Sequence, residues 1–219
     1  MYNCPVVTVS ESTFENNNAQ SVFTDLRSRV SGGGISVTIY DPNNSSVMKK
    51  TINYTIQNCT FFNNNANSTV PAAGIHSILE GGHVNGRGGG VAFYVVHPSV
   101  VEIEVLGCNF TNNSASAYGG GVYVFSPELV TEEVFTVADN CFEGNTAWTG
   151  GGVIVGTTFQ QTIGKEYLNK TVLKESILFS RNMFIQNNVI GNGGAMFLGP
   201  GGWVIGYNTL LSNSCMHKG

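Results

Sequence analysis

Charge is what this chain has least of. Lys and Arg number 10 and Asp and Glu 14 among 219 residues, 11 % charged against roughly 25 % in an average globular protein. Ten cations under a net charge of −4 leave no basic stripe to neutralise phosphates, which excludes nucleic acid as a partner, and no polybasic cluster for an anionic membrane surface. Long hydrophobic runs are missing too. Gly, Asn or Glu breaks each one well before the roughly 20 residues that a membrane helix needs, so no transmembrane segment is expected. Residues 1–10 carry neither a charged start nor a continuous apolar stretch, and no signal peptide is read there. Apolar spacing of 3.6 residues is nowhere sustained, which turns the reading away from helical folds. What remains is 42 % hydrophobic residues, 28 glycines and a surplus of Asn, Ser and Thr. That is enough apolar material to exclude a disordered chain.

The chain repeats itself, and the repeat decides the fold class. Phe-x-x-Asn recurs at Phe14/Asn17, Phe61/Asn64, Phe110/Asn113, Phe142/Asn145 and Phe184/Asn187, with a sixth copy at Leu210/Asn213. Counting from each Phe or Leu, positions −7 and −5 are apolar in every copy: Val7/Val9, Tyr54/Ile56, Ile103/Val105, Phe135/Val137, Ile177/Phe179 and Trp203/Ile205. Position +5 is small or apolar: Ala19, Ala66, Ala115, Ala147, Val189 and Cys215. A glycine pair then opens an alternating run at Gly33-Gly34, Gly89-Gly90, Gly120-Gly121, Gly151-Gly152 and Gly193-Gly194. Each unit reads as a strand, a corner at Phe-x-x-Asn, a turn, and a second strand after Gly-Gly. Such a unit covers its apolar residues only by stacking on copies of itself. Insertions at Tyr40–Thr51, Asn67–Gly88, Ser126–Glu133 and Thr157–Glu175 read as loops projecting from the stack.

Stacking turns equivalent positions into ladders at a spacing of roughly 4.8 Å. The Phe anchors are expected to pile up in the core, each ring contributing about 1.5–3 kcal/mol. The Asn at +3 passes hydrogen bonds from coil to coil and tolerates a corner backbone, and the glycines permit positive φ or close approach.

These motifs resemble the Phe-x-x-Asn and Gly-Gly-Ala-[Ile/Leu/Val] repeats of chlamydial polymorphic outer-membrane proteins, which are similar to repeats of other right-handed parallel β-helix proteins, bacterial and eukaryotic. The last copy has the Ala form, Gly193-Gly194-Ala195, while the other four place Ile or Val directly after the glycine pair. The resemblance implies an all-β, right-handed parallel β-helix of about six coils over residues 1–219. It also implies a surface-exposed or secreted protein with adhesive roles, outer membrane-associated if the source is bacterial. Solenoids need polar end caps, so the chain reads as a fragment of a longer repeat protein, contacting further repeats of its own full-length chain.

Five cysteines cannot all pair within one chain. Cys59 and Cys108 both fall at −2, where adjacent coils permit either a disulfide or two stacked free thiols. No Cys or His spacing suits a metal, with His76, His83, His97 and His217 in loops or near the end, and no cofactor is implied. Glycosylation sequons start at Asn43, Asn44, Asn53, Asn58, Asn67, Asn109, Asn112 and Asn169 and avoid the +3 ladder. If the source is eukaryotic, they read as a secreted glycoprotein.

Polysaccharide lyases and hydrolases also use β-helices, and their chemistry needs clustered carboxylates. Glu102 and Glu104 are the best candidates, sharing an outer face about 6.8 Å apart along one strand. Their expected neighbours, Asn53/Thr55 and Val134/Thr136, add no third carboxylate and no base, so the pair reads chiefly as solubilising charge. Asp25, Asp41 and Asp139 look isolated. Gly81–Gly90 has glycines suited to a phosphate but neither known nucleotide-binding spacing, and reads as a flexible loop. The functional expectation is a non-catalytic module that binds an extracellular protein or glycan through its walls and loops, with a carbohydrate-active enzyme as the alternative.

Overall fold

The computed structural model describes residues 6–21, 30–39, 52–68, 86–95, 101–125, 134–155, 177–198 and 203–216. All regular elements among them are strands. The strand order within each sheet follows the chain, coil upon coil, and the pairings are parallel. This is a parallel β-helix of six coils.

Sheet I holds Val6–Ser10, Ile52–Gln57, Val101–Leu106, Val134–Ala138, Ile177–Ser180 and Trp203–Gly206. Sheet II holds Thr13–Glu15, Thr60–Phe62, Asn109–Thr111, Cys141–Glu143, Met183–Ile185 and Thr209–Leu211. Sheet III holds Asn18–Ser21, Asn65–Ser68, Ser114–Ala115, Thr146–Ala147, Asn188–Val189 and Ser214–Cys215. Sheet IV has five strands: Ile35–Ile39, Val91–Val95, Val122–Phe125, Val153–Val155 and Met196–Leu198. A small pair, Val30–Ser31 with Gly86–Arg87, lies just before sheet IV.

A coil therefore carries four strands where the motif spacing predicts two. Phe-x-x-Asn does hold a corner, at its third residue, but its Phe belongs to a three-residue strand, −1 to +1, with a second corner before it. Each corner is one residue in the left-handed region. At −3 these are Glu11, Asn58, Gly107, Asp139, Arg181 and Tyr207; at +2 they are Asn16, Asn63, Asn112, Gly144, Gln186 and Ser212. Such a residue reverses the side-chain alternation locally, so the Phe can point inward beside −5 and +5.

The glycine motif is also longer than a pair. Val153 pairs with Met196, so Ala195 matches Gly152 and not Val153. The motif is a triplet, Gly32-Gly33-Gly34 and its equivalents, closing on Gly193-Gly194-Ala195. Its first glycine has positive φ in all five triplets, from 64° to 70°. The apparent departure from the Gly-Gly-Ala pattern is thus Gly in place of Ala at the third position.

The core is the set of inward ladders. Phe14, Phe61, Phe110, Phe142 and Phe184 stack with centroids 4.8–4.9 Å apart and rings within 7° of parallel. The last four are fully buried, whereas Leu210, which continues the column, is 55 % exposed at the end of the stack. The insertions at 40–51, 126–133 and 157–175 lie outside the described residues, and all three enter between a sheet IV strand and the next sheet I strand. The ends of the Asn67–Gly88 insertion, Asn67–Ser68 and Gly86–Gly88, belong to the solenoid wall.

Candidate functional site

The carboxylates stand on the outer face of sheet I, half-buried. Glu102 is flanked by Asn53 and Val134, and Glu104 by Thr55 and Thr136. Glu104 Oε2 accepts a hydrogen bond from Thr55 Oγ1 at 3.2 Å, which ties it to the neighbouring coil. An acid/base pair for glycoside chemistry needs its carboxyls on opposite sides of a bound sugar; these two sit on one flat face. Among the described residues no three His, Cys, Asp or Glu side chains gather into a metal site. Asp139, isolated in the sequence, is held by Arg181 of the next coil through two contacts of 2.6 and 2.7 Å. That bond to Arg181 lowers the Asp139 pKa, and the carboxylate raises that of Arg181.

Two hydrogen-bond ladders run through the interior. At +3, the backbone N–H and Nδ2 of each Asn donate to Oδ1 of the Asn one coil on, from Asn17 through Asn64, Asn113, Asn145 and Asn187 to Asn213. From Asn64 onward, Nδ2 also donates to the carbonyl of the preceding coil's Phe. A second ladder at −2, not anticipated from the sequence, links Asn140, Asn182 and Asn208 in the same way.

Cys59 and Cys108 occupy that −2 column as free thiols, not as a cystine. Cys108 accepts the Cys59 N–H at Sγ and points its S–H at the Ile56 and Leu106 carbonyls. Its own N–H donates to Asn140 Oδ1 at 2.8 Å. The thiol therefore fills an asparagine's place. Burial, the largest effect, pushes the Cys108 pKa to about 12, so it stays protonated and unreactive. Cys141 faces outward from sheet II, half-buried, its pKa raised by burial and then by Glu143.

The outer face of sheet IV carries an aromatic cluster of Tyr94 and Tyr123, with Tyr118, Phe125 and Phe197 at its margin. Arg87 lies within it. Its guanidinium carbon is 5.4 Å from the Tyr94 and Tyr123 ring centroids and 5.7 Å from that of Tyr118. The residue is only 5 % exposed. Burial raises the Tyr118 pKa, with the Arg87 charge opposing. This corrects the loop reading of Gly81–Gly90: residues 81–85 lie outside the described set, but Gly86–Arg87 is buried strand. The missed signal was the residue just before each glycine triplet, which puts Arg87, Tyr118 and Thr149 in one bridged column.

The sequons separate by geometry. Asn58, Asn109 and Asn112 are exposed beside or on sheet II of coils 2 and 3. Asn67 and Asn53 are half-buried, and Asn53 Oδ1 is shielded from solvent. Asn43, Asn44, Asn169, the four histidines, Asp25 and Asp41 lie outside the described residues. A cavity of about 410 Å³ opens at the coil 6 end, lined by Gly193–Met196 and Leu210–Cys215 residues. It is the solenoid's interior seen end-on, and Cys215 Sγ donates to the Gly191 carbonyl beside it.

The family model of the Chlamydia polymorphic membrane protein repeat matches residues 107–124. That stretch runs from the −3 corner of coil 3 through Phe110 and Asn113 to Gly119-Gly120-Gly121 and into sheet IV. No curated protein and no solved structure matches the chain.

Proposed function

We propose that this chain is a structural or adhesive module of a surface-exposed or secreted protein, outer membrane-associated if its source is bacterial, which binds protein or glycan ligands through its walls. The observation that carries this reading is the interior, where the inward positions are filled by stacked Phe, aliphatic and Asn ladders. Ligands are left the outer faces, where uncharged polar side chains suit hydrogen bonding to sugars and proteins at low desolvation cost. The matched repeat, from a family of membrane proteins, supports the surface location. The ladders are open at coils 1 and 6, and further coils of the same type would extend them.

The test is retention of the purified chain on a panel of immobilised glycans and extracellular glycoproteins, with antibody labelling of intact source cells. Binding and labelling are both expected. Absence of label on intact cells would remove the surface location. No retention, together with release of reducing ends from a polysaccharide that Glu104→Gln abolishes, would replace adhesion with catalysis.

A further inference from the structure

The outer walls change character along the solenoid. On sheet I the outward row at −6 runs Thr8, Thr55, Glu104 and Thr136, then turns to Leu178 and Val204. On sheet II the +1 row begins with Glu15, Phe62, Thr111 and Glu143, then turns to Ile185 and Leu211. At −1 the row runs Thr13, Thr60, Asn109 and Cys141 to Met183 and ends on Thr209, so Met183 is its one large apolar member. Upstream, exposed apolar residues such as Phe62 stand singly among polar neighbours. In coils 5 and 6 they join.

Leu178, Met183, Val204 and Leu211 are 37 to 50 % exposed. At the corner between the two sheets stands Tyr207, 91 % exposed with φ 57°. A bulky side chain in the left-handed region is unfavourable, and at this corner the other coils use Asn, Gly or charged residues. A strained, protruding aromatic beside an apolar patch has the composition of an interface anchor.

We infer that this patch is a self-association surface, joining two copies of the chain side by side about a two-fold axis. Two features single out a second copy. The patch bears no charge, and the adjacent Arg181 is already neutralised by Asp139, so it meets its own image without repulsion. Its six side chains offer on the order of 500 Å² per copy, and two copies reach roughly the 1,000 Å² that a specific, weak interface requires. An isologous contact closes on itself, so association stops at the dimer. No sequon lies in the described residues of coils 5 and 6.

Sedimentation velocity of the 219-residue chain over a concentration series tests this. A dimer with a dissociation constant of about 1–100 µM is expected, insensitive to salt because no ion pair holds it. Met183→Glu is expected to raise that constant more than tenfold. Tyr207→Asn separates docking from folding: it places at the corner the residue coil 2 uses there, so thermal stability holds or rises while dimerisation weakens at least tenfold. A chain monomeric throughout would overturn the proposal. So would a dimer that both variants leave intact, open-ended polymers that neither affects, or a monomer that instead partitions onto neutral lipid vesicles.

Discussion

An asparagine side chain buried without partners costs several kcal/mol, yet Asn113, Asn145 and Asn187 are fully buried here. The ladder removes that cost by giving each amide a donor, an acceptor and a carbonyl within 3.1 Å. Asn145→Ala would take the ladder partner from the Asn113 N–H, from one Nδ2 hydrogen of Asn113 and from the Phe110 carbonyl, while Asn113 Nδ2 keeps its bond to the Phe61 carbonyl. The expected loss is about 3–5 kcal/mol in urea unfolding, since each orphaned buried group costs about 1–3. The −2 column gives the opposite expectation for a thiol. Cys108→Asn should match or exceed the parent in stability, while Cys108→Ala should lose about 1–3 kcal/mol; equal losses in both would refute the thiol's role as a ladder member. The +3 ladder was legible because one residue type recurs in six copies. The −2 ladder was not, because its column begins with Ser12 and two cysteines before three asparagines, and the mixed types hide the shared hydrogen-bonding role.

The element that sequence periodicity missed is the three-residue strand of sheet II. Its flanking corners are conformational, not compositional: the −3 column contains Glu, Asn, Gly, Asp, Arg and Tyr, and no pattern search reads φ from such a set. The glycine triplets are compositional, but their register became visible only through the Val153–Met196 pairing. Their middle member is hemmed in by backbone on two sides. A Cβ on Gly120 would sit 2.5 Å from the Gly151 carbonyl oxygen and 2.6–2.7 Å from the Thr146 backbone. Since backbone must move on two sides, Gly120→Ala should cost more than about 2 kcal/mol by chemical denaturation. Ala195 occupies the third position just before the edge strand of sheet IV, where no described following strand supplies such a carbonyl.

At the scale of the whole molecule, burial peaks in the middle coils and falls toward both ends. Phe110 and Phe142 are fully buried, while Phe14 is partly exposed and Leu210 more than half exposed. Hydrogen exchange of the isolated chain should follow this gradient, slowest in Asn109–Thr111 and Cys141–Glu143 and fastest in the strands of coils 1 and 6. Uniform protection would show that the solenoid opens only as a unit. The stacking and the coil number were legible because apolar positions repeat in phase with each anchor, while the Arg87 cluster was not, since it joins residues from three different coils. The asparagine ladders, finally, have a direction. Each rung's N–H is answered by an oxygen from the coil that follows it in the chain, 26 to 49 residues later. A chain emerging amino-terminus first therefore carries waiting donors on its newest turn, and each arriving segment finds its register already written in the one before.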